Sequence, residues 1–123
     1  MKFKIDTREK FHVITINEHA LAANMTAELD EYVISAQQNG VKNIVLNLKD
    51  IKSIDNAAAE TLVKMQQRFY ENNQSFVICE MSEEVEKFLD EDDLLELMNT
   101  TPTESEASDI VQMEEIEREL MGE

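Results

Sequence analysis

The sequence has no tryptophan, one proline, one cysteine and two glycines in 123 residues. Each shortage closes off a class of structure. A single cysteine, Cys79, forms no internal disulfide, so no covalent staple holds the chain. Its setting, Phe76-Val77-Ile78-Cys79, reads as a buried strand with an inert core thiol and fits a reducing cytosol. Gly40 and Gly122 stand far apart. No glycine-rich loop can therefore cradle phosphates, no nucleophile sits beside glycine at a strand-to-helix turn, and the acidic clusters lack the fixed glycine of a calcium loop. His12 and His19 are seven residues apart with no cysteine nearby, which argues against a metal pair. No apolar run approaches the roughly 20 residues of a membrane span. The opening MKFKIDTREK is charged throughout and lacks the apolar centre of an export signal. No catalytic residue, cofactor or metal ion is expected.

Basic residues are also few: 11 Lys and Arg against 27 Asp and Glu give a formal net charge of -16. The imbalance is local. Residues 1–79 hold ten acidic and nine basic side chains, whereas residues 80–123 hold seventeen and two. Such a field repels nucleic acid and anionic membranes and suits a basic protein partner, or a solvated surface that keeps a small protein soluble.

What is present reads as one domain of alternating strands and helices over residues 1–123. Residues 2–6 and 11–16 predict two strands joined as a hairpin. Asn24 or Thr26 is placed to cap a helix carrying Met25, Leu29, Tyr32, Val33 and Ala36 on one face, ended by Asn39-Gly40. Ile44–Leu48 reads as a central strand covered on both sides. Asp55 and Asn56 are good caps for a second helix reaching about Glu71, and Ser75–Cys79 predicts the next strand. Ser82 opens a short helix with Val85, Phe88 and Leu89 inward. Leu94–Met98 is either a last helical turn or an edge strand, with Glu96–Thr100 favoured for the strand. Thr103 and Glu106 have capping-box spacing, and a final acidic helix follows at about 104–121. Its apolar residues, Ala107 to Met121, either pack in cis, the reading preferred for so small a core, or bind a partner helix. The whole predicts an α/β fold with a mixed four- to five-stranded sheet and about four helices.

The strand Ile44-Val45-Leu46-Asn47-Leu48, the step Lys49–Ser53 and the start Ile54-Asp55-Asn56-Ala57-Ala58 are similar to the STAS domain, whose small single-domain members are bacterial anti-sigma factor antagonists. In that family the helix opens with Asp-Ser-Ser/Thr-Gly, and a kinase partner phosphorylates the serine that aligns with Ala57. The resemblance implies a noncatalytic cytoplasmic module for signalling and transcription regulation, binding an anti-sigma factor or kinase. It implies a partner surface of Asn24, Thr26, Ser53, Asp55, Asn56, Ala57 and Ala58. Here Asp55 is kept, Ala57 has no hydroxyl, and Ala58 stands at the glycine position, so the usual phospho-switch is missing. The alternative is an oligomerisation or scaffold module, a homo-oligomer built through the final helix.

Overall fold

A computed structural model describes residues 1–38 and 40–122. In chain order the elements are β1 (Phe3–Thr7), β2 (Phe11–Ile16), β3 (Ala20–Leu21), α1 (Ala23–Gln37), β4 (Asn43–Asn47), β5 (Ser53–Ile54), α2 (Asn56–Glu71), β6 (Phe76–Cys79), α3 (Glu83–Glu91), a 3-10 turn (Leu95–Leu97), β7 (Thr100–Thr101) and α4 (Glu104–Leu120). The main sheet has the order β1-β2-β4-β6-β7. β1 runs antiparallel to β2, pairing Phe3 with Ile16 and Thr7 with His12. β2, β4, β6 and β7 are mutually parallel. The mixed five-stranded sheet with four helices matches the expected fold class.

Strand alternation sorts the core into two layers. Ile14, Ile16, Ile44, Leu46, Phe76 and Ile78 face α1, α2 and α3, meeting Leu29, Val33, Leu62, Met65, Phe69, Val85 and Leu89. Phe11, Val13, Val45, Val77 and Cys79 face the other way, onto Ala107 and Val111 of α4. Phe69 and Phe76 stack with ring centroids 4.9 Å apart. Burial, with Glu104 and Glu80 nearby, pushes the Cys79 thiol up to about 12, as befits an inert core thiol.

α4 is fixed by polar side chains as well as by packing. Asn43 and Asn47 are buried on β4. Asn43 donates to Glu115 Oε2 at 2.8 Å and accepts from the Ser75 backbone N–H at 2.8 Å and from Arg118 at 3.2 Å. Asn47 donates to Glu104 at 2.9 Å. Each buried amide thus spends its hydrogen-bonding capacity on α4 or on the neighbouring backbone, as a low-dielectric site requires.

Three sequence expectations change. Of the expected strand Glu96–Thr100, Glu96 and Leu97 fall in the 3-10 turn, Met98 and Asn99 in neither element, and the strand itself is Thr100–Thr101. Asp93, at φ 57°, turns the chain after α3. Asn99 is held on both sides: its backbone N–H donates to Gln66 Oε1, and its carbonyl accepts from the Ile78 N–H at 2.9 Å, which opens the β6–β7 ladder. The first helix starts at Ala23 with Ala22 as its N-cap residue, and neither Asn24 nor Thr26 caps it: Thr26 is buried and donates to Ala23 O at 2.8 Å. Of its expected stop, Gly40 has φ +90°, a left-handed conformation natural to glycine, while Asn39 lies outside the described residues. The apolar residues of α4 do not share one face. Ala107 and Val111 are buried, whereas Met113, Ile116, Leu120 and Met121 are exposed.

Two measurements check this core. Phe69→Ala is expected to cost about 3–5 kcal/mol in urea unfolding, through lost transfer energy and a cavity, while Tyr70→Ala, at an exposed neighbouring position, stays within about 0.5 kcal/mol. Hydrogen bonds from Asn43 and Arg118 hold the Glu115 carboxyl below its ordinary value of 4.5. A depressed folded value means that the stabilisation is fully present above pH 4.5 and is lost as pH falls through the folded value. Glu115→Gln is expected to flatten the acid limb of the stability profile in that window and leave its slope near neutrality unchanged.

Candidate partner-binding site

The stretch Ser53–Ala58 is built by the chain leaving β4. Asn47 Oδ1 accepts from the Lys49 backbone N–H at 2.9 Å, and the Ile51 N–H donates to Leu48 O at 3.0 Å, which turns the chain over the sheet. Ile51, fully buried, pins that turn. Ser53 and Ile54 then pair in parallel with Ala20 and Leu21, forming a two-stranded ribbon apart from the main sheet. Leu21 and Ile54 point into the core, while Ser53 and Ala20 are exposed. Each ribbon strand feeds directly into a helix, β3 into α1 and β5 into α2, so the two helix starts lie side by side.

Asp55 joins them. Its Oδ1 accepts from the Ala58 N–H of α2 at 2.8 Å, and its Oδ2 accepts from the Ala23 N–H of α1 at 3.0 Å. Its own backbone N–H donates to Leu21 O at 3.2 Å. One carboxylate therefore caps two helices and sits at the N-terminal ends of both. This explains why α1 needs no cap of its own: Ala22 contributes no side chain to the helix start, and the acceptor arrives from a residue 32 positions away. Farther along, Arg68 of α2 meets Asp30 of α1 with two hydrogen bonds of 3.0 and 2.7 Å, holding the same pair of helices a second time.

The structure brings most of the expected residues to one surface. Asn24, Ser53, Asp55, Asn56 and Ala57 are exposed around the two helix starts. Thr26 and Ala58 lie beneath it, at 6% and 0% exposure, so their side chains support the surface and do not face solvent. Thr61, the nearest hydroxyl within α2, donates to Ala57 O at 3.0 Å. Sequence reasoning missed Ala22 and Ala23, whose part is played by backbone and leaves no mark in side-chain chemistry. Two cavities lie elsewhere. One of about 710 Å³ opens among Gln66, Tyr70, Leu97 and Arg118, and one of about 640 Å³ among Lys10, Asn43, Asn73 and Glu115. Ser53–Ala58 forms no part of either lining. His12 is buried in β2 with Nδ1 3.0 Å from Thr7 Oγ1, and His19 is exposed. Among the described residues no group of three or more His, Cys, Asp or Glu side chains is arranged to hold a metal ion, and no helix is long and apolar enough to cross a membrane.

The STAS domain model matches residues 2–107, from the residue before β1 to the first turn of α4. The chain belongs to the STAS domain family. Among curated proteins, none matches it by sequence. Solved structures share the fold of this STAS domain. Thermotoga maritima TM1081 superposes with a TM-score of 0.78 at 21% identity, over 91% of this chain and 90% of that one. A serine-to-glutamate variant of Moorella thermoacetica RsbS gives 0.73 at 15% identity, over 91% and 96%. The anti-sigma factor antagonist SpoIIAA of Bacillus, in its unphosphorylated form, gives 0.70 at 18% identity, over 90% and 96%.

The double cap is open to test. Asp55→Ala is expected to cost about 1–3 kcal/mol, the range of one to two lost caps, and to speed hydrogen exchange at the Ala23 and Ala58 amides together. Asp55→Asn, which keeps one acceptor oxygen, is expected to fall between. An unchanged Ala23 amide in Asp55→Ala would show that the carboxylate serves α2 alone.

Proposed function

We propose that this STAS domain is a noncatalytic interaction module of the anti-sigma factor antagonist kind, working in the cytoplasm on an anti-sigma factor or kinase without the usual serine switch. The observation that carries the reading is the surface at Asp55. Two helix starts locked by one carboxylate present Asn24, Ser53, Asn56 and Ala57 on a firm base. The exposed side of α2 toward Tyr70 continues that surface. Small side chains there permit close approach by a partner's backbone. The shared fold with SpoIIAA, solved in both phosphorylated and unphosphorylated forms, supports the class of partner.

Ala57 stands where the family motif carries its phosphorylated serine. A phosphate there adds nearly two negative charges and strong acceptor oxygens, which changes what a partner meets. A methyl group accepts no phosphate, so this module stays competent to bind. A second reading, a scaffold module assembled through α4, draws on the exposed Ile116 and Leu120 and not on the Asp55 surface.

Affinity for the cognate anti-sigma kinase, purified and immobilised, decides between them. Ala57→Glu is expected to weaken binding by about tenfold or more, about 1.4 kcal/mol or above, with unchanged unfolding. Ala57→Ser is expected to accept label from ATP at residue 57 and then release the kinase. Equal binding by the native chain and Ala57→Glu sinks the proposed surface. Label on Ser53 or Thr61 of the native chain sinks the claim that the switch is missing.

A further inference from the structure

The outward face of α4 lies on the opposite side of the sheet from α2 and plays no part in the Asp55 surface. Ala107 and Val111 face the sheet, and Glu114, Glu115 and Arg118 reach Ser75 and Asn43 on the same side. That uses up the inner face. Met113, Ile116 and Leu120, spaced by three and four residues, then fall together on the outer face, exposed by 59%, 55% and 82%. This is a short apolar stripe in the most acidic part of the chain.

Helical geometry sets what surrounds the stripe. At 3.6 residues per turn, Asp109 lies in line with it one turn earlier, Glu106 and Glu117 border one edge, and Gln112 and Glu119 border the other. The lone basic residue of α4, Arg118, is turned inward to Asn43, Ser75 and Glu115. Lys10 reaches Glu119 at 3.7 Å across exposed surface. The outer face is therefore apolar along its middle and acidic at its borders, with no cation of its own.

From this pattern we propose that the outer face of α4 docks a basic amphipathic helix of a partner protein. Such a helix offers apolar side chains to Met113, Ile116 and Leu120 and lysine or arginine to the acidic borders. A second copy of this chain fits poorly. It would bring acidic borders against each other on chains of formal charge -16. A complementary charged partner avoids that repulsion and gains steering from the field. The inference stands apart from the reading of Ser53–Ala58.

The test uses the full chain and a fluorescent peptide of about four helical turns, with leucine at i, i+3, i+4 and i+7 and lysine elsewhere. A scrambled peptide of the same composition, lacking an apolar face, is the control. The ordered peptide is expected to bind at least about tenfold more tightly than the scrambled one. Ile116→Gln with Leu120→Gln, both at exposed positions, is expected to remove that preference. Asp109→Lys with Glu117→Lys is expected to weaken binding most at low salt, where charges are least screened. Equal affinity for the two peptides, or a preference that survives Ile116→Gln with Leu120→Gln, overturns the proposal. So does a dimer of the native chain in sedimentation that dissolves in that same double variant, because the stripe then belongs to a second copy.

Discussion

β4 is buried along its whole length on both faces, and the surrounding elements are arranged by the need to keep it so. Ile44 and Leu46 look toward α1, α2 and α3, while Val45 looks toward α4. Three helices cover one side, and among the described helices α4 alone covers the other. A single helix cannot blanket a sheet face with apolar atoms at every position. The chain places Asn43 and Asn47 at both ends of β4 on that side and ties each to a glutamate of α4. An amide left without partners there would cost more than the contact is worth. The arrangement therefore fixes where α4 sits along the sheet as well as the fact that it packs there.

The same strand positions the proposed partner surface. Because β4 and β2 are parallel, the chain leaves both at the same end of the sheet. Both exits then pair with each other as the β3–β5 ribbon before turning into helices. That puts the N-termini of α1 and α2 next to one another, with unsatisfied N–H groups pointing the same way. One carboxylate can then serve both. Asp55 is a structural cap and the centre of the exposed surface at once, and the two roles do not compete. The cap holds still the ground on which Asn56 and Ala57 stand.

How much of this was legible follows from the range over which each residue acts. β2, β4, β6 and α2 were readable because their apolar residues repeat over several turns or a whole strand, and because Asp55 caps its own helix from the adjacent position. β3 and β5, at two residues each, are too short to show alternation. The cap of α1 escapes a local reading. Asn24 and Thr26 have the right chemistry, yet the acceptor comes from Asp55, through a pairing that exists only once the ribbon forms. The edge strand starts later than expected because the chain first makes the 3-10 turn at Leu95–Leu97, and a long-range contact, Gln66 on α2 taking the Asn99 N–H, holds the step into it. In α4, Val111 and Ile116 are both β-branched aliphatic residues, and only contact with the sheet separates the buried face from the open one.

Charge at the start of α2 shows why the surface and the fold can be regulated separately. Negative charge near a helix N-terminus favours the helix, and the N–H groups there welcome further acceptors. Added charge at residue 57 therefore need not unfold α2, even beside Asp55, which already engages Ala58 and Ala23. Its main effect falls on a partner packed against the helix start, which must accommodate or repel it. A switch at this position thus acts through the interface, at little cost to the core. On the proposed reading, alanine at the same position leaves the core equally intact and holds the interface in one charge state. The two layers that bury β4 are thus compatible with either kind of surface, which is why a fold shared at 15 to 21% identity says nothing by itself about how binding is controlled.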